Sequence, residues 1–194
     1  MPDPSITAFV EQLKPLPTEL QWAPKSKREH FSLDLPRRVY LFWDKGFVNA
    51  PAIVKFCTES WHRLNPGWDV ILLDQDGANA ILPRRSLPRP MSVTHYADML
   101  RIAILQKQGG VWADATALCV RPLDHWLPQI FNQCEFFAFH KPNTDHLISN
   151  WFLAASAESV IAHEMRAIAA AYWDWGPFRQ GQPPYFWFHQ LFGH

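Results

Sequence analysis

Charge excess, long apolar runs and paired cysteines are all missing from this sequence, and each absence removes a class of function. Eighteen Lys and Arg balance 18 Asp and Glu, for a formal net charge of +0. A chain without a basic excess lacks the broad electrostatic grip that nucleic acid requires, so no nucleic-acid partner is expected. Any charged ligand must be held by a local site. No apolar run reaches the roughly 18 residues that a bilayer-spanning helix needs. The first residues, MPDPSITAFVEQLKPLP, lack the basic start and continuous apolar stretch of a signal peptide. Cys57, Cys119 and Cys134 are odd in number and show no CxxC spacing. Each reads as a small reduced core residue, which suits a cytoplasmic protein. The 9 His include no HExxH and no HxH pair, so no zinc site is expected.

What is present points to a packed globular domain. Hydrophobic residues make up 48% and charged residues 19% of 194 residues, which excludes wholesale disorder. That length suits one domain with at most a short appendage. Residues 1–36 read as an N-terminal helix and linker: a short helix around Ile6–Leu13, then LKPLP and the basic PKSKREH. The run Lys25–Arg28 reads as a solvated linker, with peripheral contact at an inner membrane face as the most it offers. Residues 37–194 read as the main domain. Its 10 Trp suit a core, and equally a protein that stacks on sugars or bases.

From Arg37 the pattern alternates strand and helix. Arg37–Trp43 is β-branched and aromatic, hence a strand. Asn49 can cap a helix carrying Val54, Cys57, Trp61 and Leu64 on one face, and Asn65-Pro66-Gly67 ends it. Trp68–Asp74 is a short apolar run, consistent with a buried parallel strand. A helix from Val93 to Gln108 ends at Gly109-Gly110, and strands follow at Val111–Asp114 and Glu135–Phe139. Ser156 can cap a last helix with Ile161, Met165, Ile168 and Tyr172 in one stripe. This order gives an α/β fold with a mostly parallel sheet flanked by helices. Ligands then belong at the carboxyl ends of the strands, here Trp43, Asp74 and Asp114. For Asp74-Gln75-Asp76, a ribose contact and a loop cap are both open readings.

The chemistry concentrates in HYADMLRIAILQKQGGVWADAT, His95 to Thr116. Asp98 and Arg101 are three apart and share a helix face within an otherwise apolar segment. Asp114 emerges at a strand end beyond the glycine turn. A carboxylate there, followed by Thr116, can hold Mg²⁺ or Mn²⁺ against a diphosphate whose oxygens complete the shell. The Asp98–Arg101 pair offers an acceptor and a donor fork to sugar hydroxyls. Taken singly, each of these residues is an ordinary ion pair or cap. His95, one turn before Asp98, reads as structural, with a substrate contact as the alternative.

The succession LPRRVYLFW, ESWHRLNPGWDVILLD and HYADMLR…GGVWADAT resembles the capsular polysaccharide synthesis family of DXD-type sugar transferases, which have the GT-A fold. Mannosyltransferase-like enzymes and the clostridial glucosylating toxins belong to the same group. The likeness runs from about Leu35 to Phe192. It implies a glycosyltransferase that moves a sugar from a UDP- or GDP-sugar donor to a glycan or lipid-linked saccharide in capsular or surface polysaccharide synthesis. It implies retention of anomeric configuration and a Mn²⁺ or Mg²⁺ cofactor held by Asp114 and Thr116. Trp43 would stack on the base, and Trp112 would flank the diphosphate. Asp98 and Arg101 would contact the donor sugar and its neighbours, and Gly109-Gly110 would permit a tight strand approach. The segments Asn150–Ala155, Tyr172-Trp173 and Tyr185–Phe192 would line the acceptor cleft. Two features depart from the family pattern. Thr116 stands where the pattern has a second carboxylate, and relatives continue past the position of His194 with a helical segment that closes the donor site. These departures keep a second expectation open, a catalytically silent nucleotide- or sugar-binding module of the same fold. A hydrolase with paired carboxylates is less well suited, because its acid and base would have to face one bond from opposite sides.

Overall fold

The computed structural model describes residues 3–12, 34–144, 146–157, 159–176, 178 and 183–193. The expected linker, including LKPLP and Lys25–Arg28, lies outside the described residues. The N-terminal helix α1 spans Pro4–Gln12 and buries Ile6 and Phe9.

Five strands form one sheet: β1 Arg38–Phe42, β2 Asp69–Leu73, β3 Gly110–Ala113, β4 Phe136–His140 and β5 Ile148–Ala155. Their spatial order is β2-β1-β3-β5-β4. Strands β1, β2 and β3 are mutually parallel, and β5 runs antiparallel to both β3 and β4. Only β5 therefore opposes the others, and the sheet is mostly parallel as expected. The direction of β5 matters for the site: its first residues sit beside the last residues of β3.

Side-chain alternation divides the core between two faces. Tyr40, Phe42, Trp112, Leu153 and Ala155 join one cluster. That face is covered by α1, α3 (Gln75–Ile81), α4 (Val93–Gln108), α6 (Val160–Trp175) and α7 (Trp187–Phe192). Val39, Leu41, Val111, Ala113, Phe152 and Ala154 join the other, with Trp61 of α2 (Ala52–Leu64) and Phe131 of α5 (Leu127–Phe131). The result is three layers, helix on sheet on helix. Among the described residues no helix is long and apolar enough to cross a membrane.

Three local expectations need correction. Strand β2 is parallel but lies at the sheet edge, partly exposed, so its apolar run reflects helix contacts rather than full burial. The caps also differ: Pro51, not Asn49, precedes α2 without a side-chain cap, and Ser159, not Ser156, accepts from Ala162 at the start of α6. Strand β5 has no counterpart in the sequence pattern, because Ser149 and Asn150 break any simple alternation at its start.

The two-glycine turn does more than end α4. Gly109 has φ +63, and a Cβ there would meet the backbone N of Ala157 at 2.6 Å. Gly110 has φ +99, and a Cβ there would meet the carbonyl of Arg38 at 2.9 Å. Both backbone approaches, one toward the end of β5 and one toward β1, exclude any side chain.

Candidate active site

Asp114 is the first residue beyond β3. Its backbone N–H donates to the carbonyl of Trp151 on β5 at 2.8 Å, and its own carbonyl accepts from Ala117 at 2.8 Å. The turn it opens is pinned to α2: Trp61 Nε1 donates to the carbonyl of Ala117 at 2.8 Å, and the N–H of Cys119 donates to Ser60 Oγ at 2.9 Å. The carboxylate is thereby presented on a rigid edge rather than a loose loop.

Arg101 connects this edge to α4. Its Nη2 lies 3.2 Å from Oδ1 of Asp98 and 3.3 Å from Oδ1 of Asp114. Its Nε donates to the carbonyl of Ala97 at 3.2 Å, its Nη1 donates to the carbonyl of Asn150, and its guanidinium lies over the Trp112 ring. Asp98 is buried, with its side chain 3% exposed. Asn150 Nδ2 donates to Oδ1 at 3.0 Å and Trp187 Nε1 donates to Oδ2 at 3.0 Å. Burial pushes the Asp98 carboxyl up to about 6, and nearby Asp114 adds to this. Arg101 first, then His95 and the Trp187 hydrogen bond, oppose the rise.

These groups line a cleft of about 380 Å³ together with His146, Ser149, Trp151, Tyr185, Phe186 and His189. Three of the expected site residues, Asp98, Arg101 and Asp114, thus meet in one place. The other three stand around it. Trp112 is 1% exposed in the core and donates from Nε1 to Oδ1 of Asp114 at 2.9 Å. It reaches the site by orienting that carboxylate from behind, not by a face of its own flanking a diphosphate. Trp43 lies one residue past β1 and packs on the small cluster of Ala50, Val54 and Ala115, next to Asp114 in sequence but outside the cleft. Thr116 is exposed in the turn, where its carbonyl accepts from Cys57 Sγ at 3.3 Å. Asp74 caps α3 by accepting from the N–H of Gly77 at 2.9 Å, the capping role among its two readings.

The donor set for a cation centres on Asp114. Its Oδ1 is taken by Trp112 and Arg101, while Oδ2 has no partner among the described residues and the side chain is 37% exposed. Among the described residues no three His, Cys, Asp or Glu gather closely enough to hold a metal. One open carboxylate oxygen fits a hard cation that takes its remaining ligands from phosphate and water.

The two side chains that donate to Asp98 have no local signature in the sequence. Trp187 lies 89 positions from Asp98, and Asn150 lies 52 away. The only sequence cue is their presence in the segments Asn150–Ala155 and Tyr185–Phe192. His189 falls in the second of these, and its imidazole is held down to about 4 by burial, with the charges of His146 and Arg101 adding.

A mostly parallel sheet between helices, with an acidic residue after the third strand facing an Asp–Arg helix pair, defines a GT-A-like sugar-transferase fold. The solved PaToxG glycosyltransferase shares it, with a TM-score of 0.55 over 81% of this chain and 68% of its own, at 12% identity. Residues 14–194 match the family described as capsular polysaccharide synthesis protein, and the chain belongs to that family. It is 32% identical over 159 residues to glycosyltransferase afumC of Aspergillus fumigatus, covering 71% of this chain and 41% of that protein. It is 29% identical over 141 residues to O-glycosyltransferase PaGT of Phomopsis amygdali, covering 62% and 35%. It is 24% identical over 107 residues to the initiation-specific alpha-1,6-mannosyltransferase of Saccharomyces cerevisiae, covering 49% and 22%. The chain spans less than half the length of these curated relatives.

Proposed function

We propose that the chain is the donor-binding part of a glycosyltransferase that moves a sugar from a UDP- or GDP-sugar to a glycan or lipid-linked saccharide in surface-polysaccharide synthesis. One observation carries this reading: a single Arg101 nitrogen bridges buried Asp98 and half-exposed Asp114 at the carboxyl end of β3. Asp114 and Thr116 would hold Mn²⁺ or Mg²⁺, which supplies charge neutralisation for the departing nucleotide. Trp112 fixes the Asp114 carboxylate in place. Arg101 adds fixed positive charge beside the position where the leaving phosphate gains negative charge. Asp98, with both oxygens engaged, holds Arg101 in register rather than attacking the sugar. Retention of configuration, which the family resemblance implies, would suit a front-face course, since among the described residues the cleft-lining carboxylates are Asp98 and Asp114, both assigned other roles. Trp43, beside the same strand ends, would stack on the base.

The alternative, a silent binding module, draws its support from Thr116, an uncharged and exposed residue in the second metal position. Calorimetric titration with UDP and GDP, with and without Mn²⁺, tests the primary reading, with Asp114→Ala run in parallel. Metal-dependent binding that disappears in the variant is expected. Absence of binding by the folded wild type overturns the reading. Nucleotide binding without any metal-dependent hydrolysis of the corresponding UDP- or GDP-sugars would favour the silent module.

A further inference from the structure

The end of the sheet that carries Asp114 also carries large apolar side chains that the fold leaves in water. Val48, Ile53, Phe56, Leu118 and Val120 are between 45% and 84% exposed. They come from three stretches: the loop after β1, the first half of α2 and the loop after β3. Packing brings these stretches together. Phe47 and Ala50, on either side of Val48, join Val54 of α2 and Ala115 in one small apolar cluster. Ile53, Phe56 and Ser60 follow helix spacings of three and four, so they share one stripe of α2. Ser60 Oγ accepts from the N–H of Cys119 and Trp61 Nε1 donates to the carbonyl of Ala117, which lays residues 117–119 along that stripe. Cys119 is buried against it, and Leu118 and Val120 on either side stand outward.

Single exposed apolar residues are ordinary, but five from three stretches gathered at one end of a sheet mark an interaction surface. Its charges select the partner. Lys45, Lys55, Arg63 and Arg121 are exposed around it, against Glu59 and the half-buried Asp44. That is a local positive excess in a chain whose formal net charge is +0. A second copy meeting this face by twofold symmetry would set the excess against itself. An anionic lipid surface satisfies both features, taking the apolar tips between its headgroups and the cations at the level of its phosphates. Val48 and Val120 protrude from loops, a convex arrangement that suits such insertion rather than the groove a docked helix needs.

We propose that this apolar face with its cationic border is a docking surface for an anionic lipid bilayer, with Ile53 and Phe56 of α2 and the loop residues Val48, Leu118 and Val120 entering the headgroup layer. It uses no residue that lines the cleft and none of the linker run Lys25–Arg28. Docked this way, the carboxyl ends of β1 and β3 face the bilayer, which on the transferase reading brings Asp114 toward a lipid-linked acceptor. Lipid binding itself stands without that reading.

Co-sedimentation of the full chain with vesicles tests it, using phosphatidylcholine alone and phosphatidylcholine with about 30% phosphatidylglycerol. Wild type is compared with three paired variants: Ile53→Ser with Phe56→Ser, Val48→Ser with Val120→Ser, and Lys55→Gln with Arg121→Gln. Wild type should bind the anionic vesicles, and less at about 0.5 M salt, where the cations are screened. Each apolar pair should weaken binding about tenfold or more. The cation pair should weaken it by about 25-fold, at about fivefold for each charge near the surface. All three should melt near wild type, because the side chains replaced are exposed. The pairs draw on separate stretches of the chain, so misfolding of one leaves the others to decide. No sedimentation of wild type with anionic vesicles, binding indifferent to phosphatidylglycerol, or equal binding by wild type and the folded variants overturns the proposal. Light scattering that finds a dimer dispersed by the Ile53 and Phe56 pair, without vesicle binding, also overturns it and gives the face to a second copy. Nucleotide titration separates this idea from the donor site. Vesicle binding without metal-dependent nucleotide binding removes the donor reading and leaves the docking surface, and nucleotide binding without vesicle binding does the reverse.

Discussion

Asp98 and Asp114 lie on different elements and share one nitrogen of Arg101, at 3.2 Å and 3.3 Å. The two carboxylates are not equivalent, for Asp98 is enclosed and Asp114 half open. Arg101 therefore ties an exposed functional group to a buried anchor on α4. The pair explains why charged residues interrupt an otherwise apolar helix: they are the price of a fixed positive charge at the strand end.

Removing the guanidinium should cost more stability than an ordinary surface ion pair. Arg101→Ala leaves Asp98 buried without its counter-charge, and a broken buried pair costs about 3–5 kcal/mol. Urea unfolding at neutral pH should show a loss of that order. The loss should shrink as pH falls through 6 toward 5, where the Asp98 carboxyl is protonated with or without its partner. Arg101→Lys should recover only part, because a single ammonium lacks the fork that reaches Asp98, Asp114 and the Asn150 carbonyl together.

Trp187 offers a subtler perturbation of the same anchor. Trp187→Phe keeps the aromatic packing against Tyr172 and Trp173 but removes the Nε1–H bond to Asp98 Oδ2. A hydrogen bond to a charged group contributes about 1.5–3 kcal/mol, and a chemical-denaturation difference in that range is expected. An unchanged midpoint would show that the indole N–H does not hold Asp98.

The first three strands and the meeting of Asp98, Arg101 and Asp114 were legible because their signals are local. Arg37–Trp43 carries β-branched and aromatic residues in a row, and Asp98, Arg101 and Asp114 fall within one short helix-turn-strand unit. The second half of the site was legible only through the family resemblance, not from local pattern. Near the start of strand β5, Ser149 and Asn150 are polar residues that line the cleft and so conceal its strand pattern. Helix α7 is six residues long, too short for a period to emerge, and its Trp187 looks like any core indole until it is seen against Asp98. Trp112 also misleads: its position beside Asp114 suggests ligand contact, but alternation along β3 sends it into the core.

The glycine pair gives a prediction about backbone rather than side chain. Gly109→Ala and Gly110→Ala each impose a positive φ on a residue with a Cβ, worth about 1–3 kcal/mol of strain. Contacts at 2.6 Å and 2.9 Å with backbone atoms add to it, since backbone cannot swing aside. Gly67→Ala is the matched control, as its nearest neighbour is the end of the Arg37 side chain at 3.3 Å. Thermal melting should place both turn variants well below wild type and the control near it. Equal melting of all three would show that the turn does not need its glycines.

Asp98 and His189 should make opposite contributions to the pH dependence of stability in metal-free buffer. The Asp98 carboxyl rises from 3.8 to about 6 on folding, so between those values the folded chain holds more protons than the unfolded one. That contribution makes stability fall as pH rises from about 4 to about 6. The His189 imidazole drops from 6.5 to about 4, so over the same window the folded chain holds fewer protons there. That contribution makes stability rise with pH. In wild type the two slopes offset each other. Asp98→Asn should expose the His189 slope, with melting temperature climbing between pH 4 and pH 6.5. His189→Phe should expose the Asp98 slope, with melting temperature declining from pH 4 to pH 6. If both variants shift with pH in the same direction, the opposed titration of these two cleft residues is wrong.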